Sequence, residues 1–190
     1  MWQEYFKKHL KRKPREQLVR AVSFCNKKEN SLDLGAGTLI ESKFLIKKGF
    51  KKVVAVDSAK EVKKFVEDFN NKKLEFHSIS FQEFLFEKDI YDLINAQFAL
   101  PFYGSTGFNS FIKKIKSSLK KDGIFVGELF GKKDSWNNKD TELVFHTKQQ
   151  ALSLFKDLEI IEFIEEEKDG LAASGVKKHW HIFHFILRKK

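Results

Sequence analysis

Short unbroken apolar runs and helical stripes take turns along most of the chain. Ser31-Leu32-Asp33-Leu34 is a short strand ending in glycines. Val53-Val54-Ala55-Val56 is apolar without alternation, the pattern of a strand buried on both faces. Leu74–His77, Tyr91–Asn95 and Ile124–Leu129 read as three further strands, the last entered through a turn at Lys121-Asp122-Gly123. Helical spacing predicts helices over Arg15–Cys25, with Pro14 in the first turn, and over Thr38–Lys48, Ala59–Phe69 and Phe111–Leu119. The second closes with Lys47-Lys48-Gly49, cations and then glycine. Strands alternating with helices imply a parallel sheet with right-handed crossovers. The C-terminal part differs. Leu158–Glu166 and His179–Leu187 are both strand-like, with a turn signal at Asp169-Gly170 and no helix between them. Phe183, Phe185 and Leu187 alternate with Ile182 and Ile186, so the last strand is apolar on both faces and belongs inside the sheet. The expected fold is α/β, a doubly wound seven-stranded sheet, mostly parallel with the last strand antiparallel.

With 190 residues and no repeat or linker, the chain reads as one domain over 1–190, its first 28 residues forming an N-terminal helical lid or cap. No apolar run is long enough for a membrane span, and no signal peptide is evident, so the expected location is the cytoplasm. The single cysteine, Cys25, lies on a helical stripe and reads as a buried structural thiol. A net charge of +10 raises the question of nucleic acid. Yet 32 of the 36 basic residues are lysines spread along the chain, whereas base and phosphate recognition favours the arginine fork. Nucleic acid is therefore not the expected partner, and the densest basic cluster, Lys7–Lys13, reads first as a solvated face.

Chemistry concentrates where the first strand gives way to the first crossover helix, at Leu32-Asp33-Leu34-Gly35-Ala36-Gly37-Thr38. Glycine permits a sharp bend and close backbone approach to a ligand, and the helix beyond offers unpaired N–H donors. Ile40 stands where a third glycine of G-x-G-x-x-G would fall. Asp57 ends the second strand, 22 residues past Gly35. An acid at that distance is the ribose-hydroxyl acceptor of nucleotide-binding α/β folds. The alternative is a helix N-cap.

These motifs resemble those of class I S-adenosylmethionine (SAM)-dependent methyltransferases, which have a Rossmann-like fold. Tyr91-Asp92-Leu93-Ile94-Asn95-Ala96 is similar to the family's fourth-strand motif. Phe98-Ala99-Leu100-Pro101-Phe102 and Lys178-His179-Trp180-His181-Ile182-Phe183 resemble a small subgroup related to tellurite-resistance methyltransferases. The resemblance implies SAM as cofactor. It implies that Gly35, Ala36 and Gly37 border the methionine part, that Asp57 holds the ribose and Ser58 lies beside the adenine. Ser80 and Phe81 would edge the adenine, and Asn95 and Ala96 would line the sulfonium region. Asp33 would fix the loop or sit near the cofactor amine.

Methyl transfer from a sulfonium needs alignment and exclusion of water more than a fixed catalytic motif. The catalytic residue is left open, with His146 as the candidate base or substrate contact. Phe98, Phe102 and Trp136 are candidate acceptor walls beside His146, and Trp2 and Tyr5 are candidate lid residues. His179 and His181 lack an evident third ligand, so no metal is expected. The N-P-P-[YF] tetrad is missing, since Asn95 is followed by Ala96-Gln97-Phe98. Without an added recognition domain, a small-molecule acceptor is expected, on a monomer or homodimer. The competing readings are a basic module binding or acting on RNA, a nicotinamide oxidoreductase, and a non-catalytic relative.

Overall fold

The computed structural model describes residues 6, 10, 12–138, 140–172 and 174–190. Helices α1 (Glu16–Ser23), α2 (Ile40–Lys47), α3 (Val62–Phe69), α4 (Phe108–Ser118) and α5 (Lys148–Leu154) flank one sheet. Its strands are β1 (Asn30–Leu34), β2 (Lys52–Val56), β3 (Leu74–His77), β4 (Tyr91–Ala96), β5 (Leu119–Gly131), β6 (Phe145–His146), β7 (Leu158–Leu171) and β8 (Lys177–Lys189). Their order is β3-β2-β1-β4-β5-β8-β7, with β6 added alongside the end of β5. β8 runs antiparallel to both neighbours, and the other pairings are parallel. The order reverses between β1 and β4, opening a crevice at their carboxyl ends where such sheets bind ligands.

Apolar runs make the sheet buried on both sides. Leu18 and Val22 of α1, Leu45 of α2 and Val62 of α3 cover one face with Val53, Ala55, Leu93, Val126 and Ile186. Phe111 and Ile115 of α4 and Ala151 of α5 cover the other with Leu34, Val56, Ile94, Phe125 and Phe185. β8 sits between β5 and β7, as its two apolar faces require.

Two expectations need correction. Among the described residues the sheet has eight strands, because Phe145–His146 pairs with Phe130 and Gly131. Two residues are too few to leave a period in the sequence. Asp169-Gly170 is not the turn: both residues lie in β7, opposite His179 and Lys178. Cross-strand pairing overrides the local signal there, and the His179 ring meets Asp169 at 2.8 Å. The chain reverses instead where Ala172 N–H donates to the Val176 carbonyl, with Gly175 at φ +89°. The Lys121–Gly123 turn is retained as a break in β5, whose register jumps from Tyr91↔Leu119 to Leu93↔Ile124.

Candidate functional site

The glycine bend leaves β1 in left-handed backbone, Gly35 at φ +74° and Gly37 at φ +49°. Gly35 and Ala36 donate their N–H groups to the Val56 carbonyl at 2.8 and 3.3 Å, tying the bend to the end of β2. A Cβ on Gly35 would lie 2.9 Å from the Ala99 Cβ and 3.7 Å from the Phe81 ring. One on Gly37 would lie 3.4 Å from Phe6, which packs with Ala36, Leu39, Ala55 and Val62 and meets Phe65 edge-on at 5.8 Å.

Asp57 reaches back into this bend. Its Oδ2 accepts the Gly37 N–H at 2.9 Å, and its Oδ1 accepts the Ala59 N–H at 2.8 Å. Asp57 is not the cap of α3, which begins at Val62 after Glu61 with no side-chain cap. Its bond to Ala59 closes a local turn, and the same carboxylate joins that turn to the glycine bend. Each oxygen keeps a further lone pair for a ligand hydroxyl. Burial pushes the Asp57 carboxyl above its ordinary range, and the two N–H donors oppose that shift.

Asp33 lies beneath, fully buried. It accepts Ser42 Oγ–H at 2.5 Å and the Asn95 amide at 2.7 Å. Burial pushes its pKa up to about 6, with the Glu41 charge adding to the rise. The bond to Asp33 fixes which end of the Asn95 amide donates, and the buried Asn95 Oδ1 is left without a hydrogen-bond partner. Ser58 is exposed beside Asp57. Ser80 turns its hydroxyl and N–H onto Glu83, at 2.7 and 2.9 Å. Phe81 stacks on Phe111 at 5.8 Å and edges Gly35. Ala96 is buried at the end of β4.

Past β4 the chain enters an aromatic wall. Phe98 sits at φ +52°, its N–H donated to Glu128 Oε2 at 2.8 Å. Its ring meets Phe130 at 6.3 Å and Trp180 at 6.2 Å, with the Arg15 guanidinium 4.2 Å above it. Phe102 reaches Phe130 at 6.3 Å, and Trp136 packs on Trp180 at 5.5 Å. Phe98, Phe102 and Trp136 are thus brought together. Phe130 and Trp180, which complete the wall, were not among the sequence candidates; the only signal was the Trp180 motif.

His146 is not part of this wall. On β6 its neighbour Phe145 faces Phe130, whereas His146 points to the other side of the sheet, 5.2 Å from Phe108. There it lines a groove of about 1140 Å³ between α4 and α5, away from the glycine bend. Burial, helped by the Lys132 charge, lowers its pKa to about 4, and Nδ1 has no partner. The unfolded chain takes up a proton below about pH 6.5 that the folded ring refuses until about pH 4. Stability from this group is present above pH 6.5 and lost as the pH falls towards 4. His146→Phe should therefore narrow the gap between melting temperatures at pH 5 and pH 7.5. An unchanged gap would show that the ring is not the titrating group. His179 and His181 are hydrogen-bonded strand residues, facing Asp169 and Glu165 at 2.8 and 3.0 Å. Trp2 and Tyr5 lie outside the described residues. Among the described residues, no helix is long and apolar enough to cross a membrane.

The topology, with its antiparallel β8 and a crevice carrying a glycine bend and an acid, defines the Rossmann-like methyltransferase fold. A family model described as AdoMet-dependent proline di-methyltransferase matches residues 6–182, and the chain belongs to that family. It is a SAM-dependent methyltransferase. No curated protein matches it in sequence. Among solved structures, it is similar to TehB from Haemophilus influenzae, with TM-score 0.77 and 17% identity over 93% of this chain. The chain spans 63% of that protein's length. It is also similar to N-methyltransferase NodS from Bradyrhizobium japonicum, solved with S-adenosylhomocysteine, with TM-score 0.69 and 14% identity over 97% of this chain and 96% of that one. The 1,6-didemethyltoxoflavin-N1-methyltransferase of Burkholderia thailandensis gives TM-score 0.65 and 14% identity over 92% and 78%.

Proposed function

We propose that the chain transfers the methyl group of SAM to a small-molecule acceptor seated against Phe98, Phe102, Phe130, Trp136 and Trp180. One observation carries this reading. Ala99 packs on Gly35 of the bend that Asp57 fastens, and the aromatic wall begins at the adjacent residue, Phe98. Cofactor and acceptor sites are thus one residue apart.

The residues present fit SAM. Asp57 has lone pairs for the ribose hydroxyls. Gly35, Ala36 and Gly37 would border the methionine part, with Asp33 joining Ser42 and Asn95 beneath them. The unpartnered Asn95 Oδ1 suits an ammonium, and Ala96 closes the strand end beside it. Phe81 offers a face to the adenine next to Ser58. Ser80 gives both its hydroxyl and its N–H to Glu83, and its carbonyl accepts the Glu83 and Phe84 N–H groups, so the adenine contact falls to Phe81. Bound SAM supplies a methyl already activated by its sulfonium charge. The protein holds the nucleophile in line and excludes water.

Titration with S-adenosylhomocysteine at about 100 times its Kd should add about 2.7 kcal/mol of stability, raising the melting temperature by roughly 5–10 °C. NAD should leave it unchanged. Radiolabelled SAM then tests the acceptor, and label should pass to small nitrogen heterocycles or amines. The family description favours a second reading, the amine of a proline. Label passing only to proline would establish that reading, and it would overturn the small-molecule one only if the proline had to be part of a peptide. Label passing only to RNA would overturn both.

A further inference from the structure

The far end of the aromatic wall already encloses a cation. Lys178, near the start of β8, places its ammonium 4.1 Å from the Trp180 ring centroid, 4.2 Å from Trp136 and 5.4 Å from Phe130. The Asp134 carboxylate pairs with it, and the lysine side chain is only 1% exposed. Rings on several sides and one carboxylate are the chemistry that selects ammonium groups, methylated ones above all.

The box does not depend on the lysine that fills it. Asp134 also accepts the Trp136 N–H at 2.9 Å and the His181 N–H at 3.3 Å, so its carboxylate is held by backbone. Trp136 and Trp180 pack on each other and on Phe130. Lys178 adds only a weak contact to the His179 carbonyl at 3.5 Å. A buried ion pair is a poor source of stability, because desolvation offsets the attraction. Exchanging one ammonium for another keeps the pairing intact and returns the lysine to water. The neighbouring Lys177 and Val176 are exposed, so the way out is short.

We propose that Phe130, Trp136, Trp180 and Asp134 form a subsite for a methylated ammonium group on the acceptor or its product, and that Lys178 is a resident stand-in that yields to it. This rests on the acceptor site proposed above, since Phe98 joins the Trp180 ring to the residue that packs on Gly35. The subsite favours acceptors that carry a cation, and it rewards each added methyl with a more diffuse charge against the rings.

Tryptophan fluorescence reads the box directly. Choline is the probe, and 3,3-dimethylbutanol, its neutral isostere, is the control. Wild-type protein should show weak saturable quenching by choline alone. Lys178→Ala, which vacates the box, should bind choline at least about tenfold more tightly. Lys178→Met keeps a stem in place of the lysine and decides the matter if the alanine variant does not fold; it too should bind choline more tightly than wild type. Adding Trp180→Leu to it should remove the gain. If choline and its isostere behave alike in wild type and in both Lys178 variants, the subsite does not exist. The melting shift with S-adenosylhomocysteine, measured on the same proteins, separates the two levels. Its retention alongside failed choline binding overturns this inference alone, and its absence in wild type overturns the cofactor-site reading beneath it.

Discussion

Replacing Asp57 with alanine is expected to weaken S-adenosylhomocysteine binding by at least about 100-fold in calorimetry. In the proposed role the carboxylate accepts ribose hydroxyls while it holds Gly37 and Ala59 by their N–H groups. Hydrogen bonds to a charged acceptor are each worth roughly 1.5–3 kcal/mol, and every 1.4 kcal/mol is about tenfold in affinity. The substitution also frees the Gly37 and Ala59 N–H groups, so the bend keeps its backbone bonds to Val56 but loses its side-chain tie beyond β2. A melting temperature lower by several degrees should accompany the affinity loss. Asp57→Asn keeps one acceptor oxygen and should lose less on both counts. Unchanged affinity in the alanine variant would remove Asp57 from the ribose role.

Gly35→Ala should be the second most damaging change, and its effect should reach both halves of the site. At φ +74°, any side chain pays about 1–2 kcal/mol of left-handed strain. The new Cβ would also overlap Ala99, whose Cβ stands 2.9 Å away. Overpacking of that kind costs about 1–3 kcal/mol. Relief requires Ala99 to move, and Phe98 moves with it, so cofactor affinity and acceptor turnover should both fall. Gly49→Ala is the control. Gly49 has φ +99° but nothing within 4 Å of a new Cβ, so only the backbone strain remains. Thermal melts of the two variants should differ by the overlap; equal losses would mean that the Ala99 contact is unimportant.

What was legible in the sequence follows the range of the interactions involved. The glycine bend, the acid 22 residues on and the inserted last strand are written in local runs, and each stands where the pattern puts it. Asp57 was readable either as a cap or as a ribose acceptor because both rest on the same few residues; in the fold the helix begins only at Val62, and the carboxylate closes a turn at Ala59 and holds Gly37 instead. The aromatic box was not readable. Phe130 and Trp136 are near neighbours in sequence, but Trp180 comes from a distant part of the chain and meets them only because β8 inserts beside β5. Lys178 was hidden for a different reason: one buried lysine cannot be told from many solvated ones by composition. Alternation on the two-residue β6 turns His146 away from the wall, and that strand itself leaves no trace in the pattern.

The most direct test of the central claim is the structure of the protein with S-adenosylhomocysteine bound. The ribose hydroxyls should lie within hydrogen-bond distance of the Asp57 carboxylate, with the cofactor sulfur turned towards Phe98. A nucleoside found elsewhere, in the groove between α4 and α5 for example, would contradict the account.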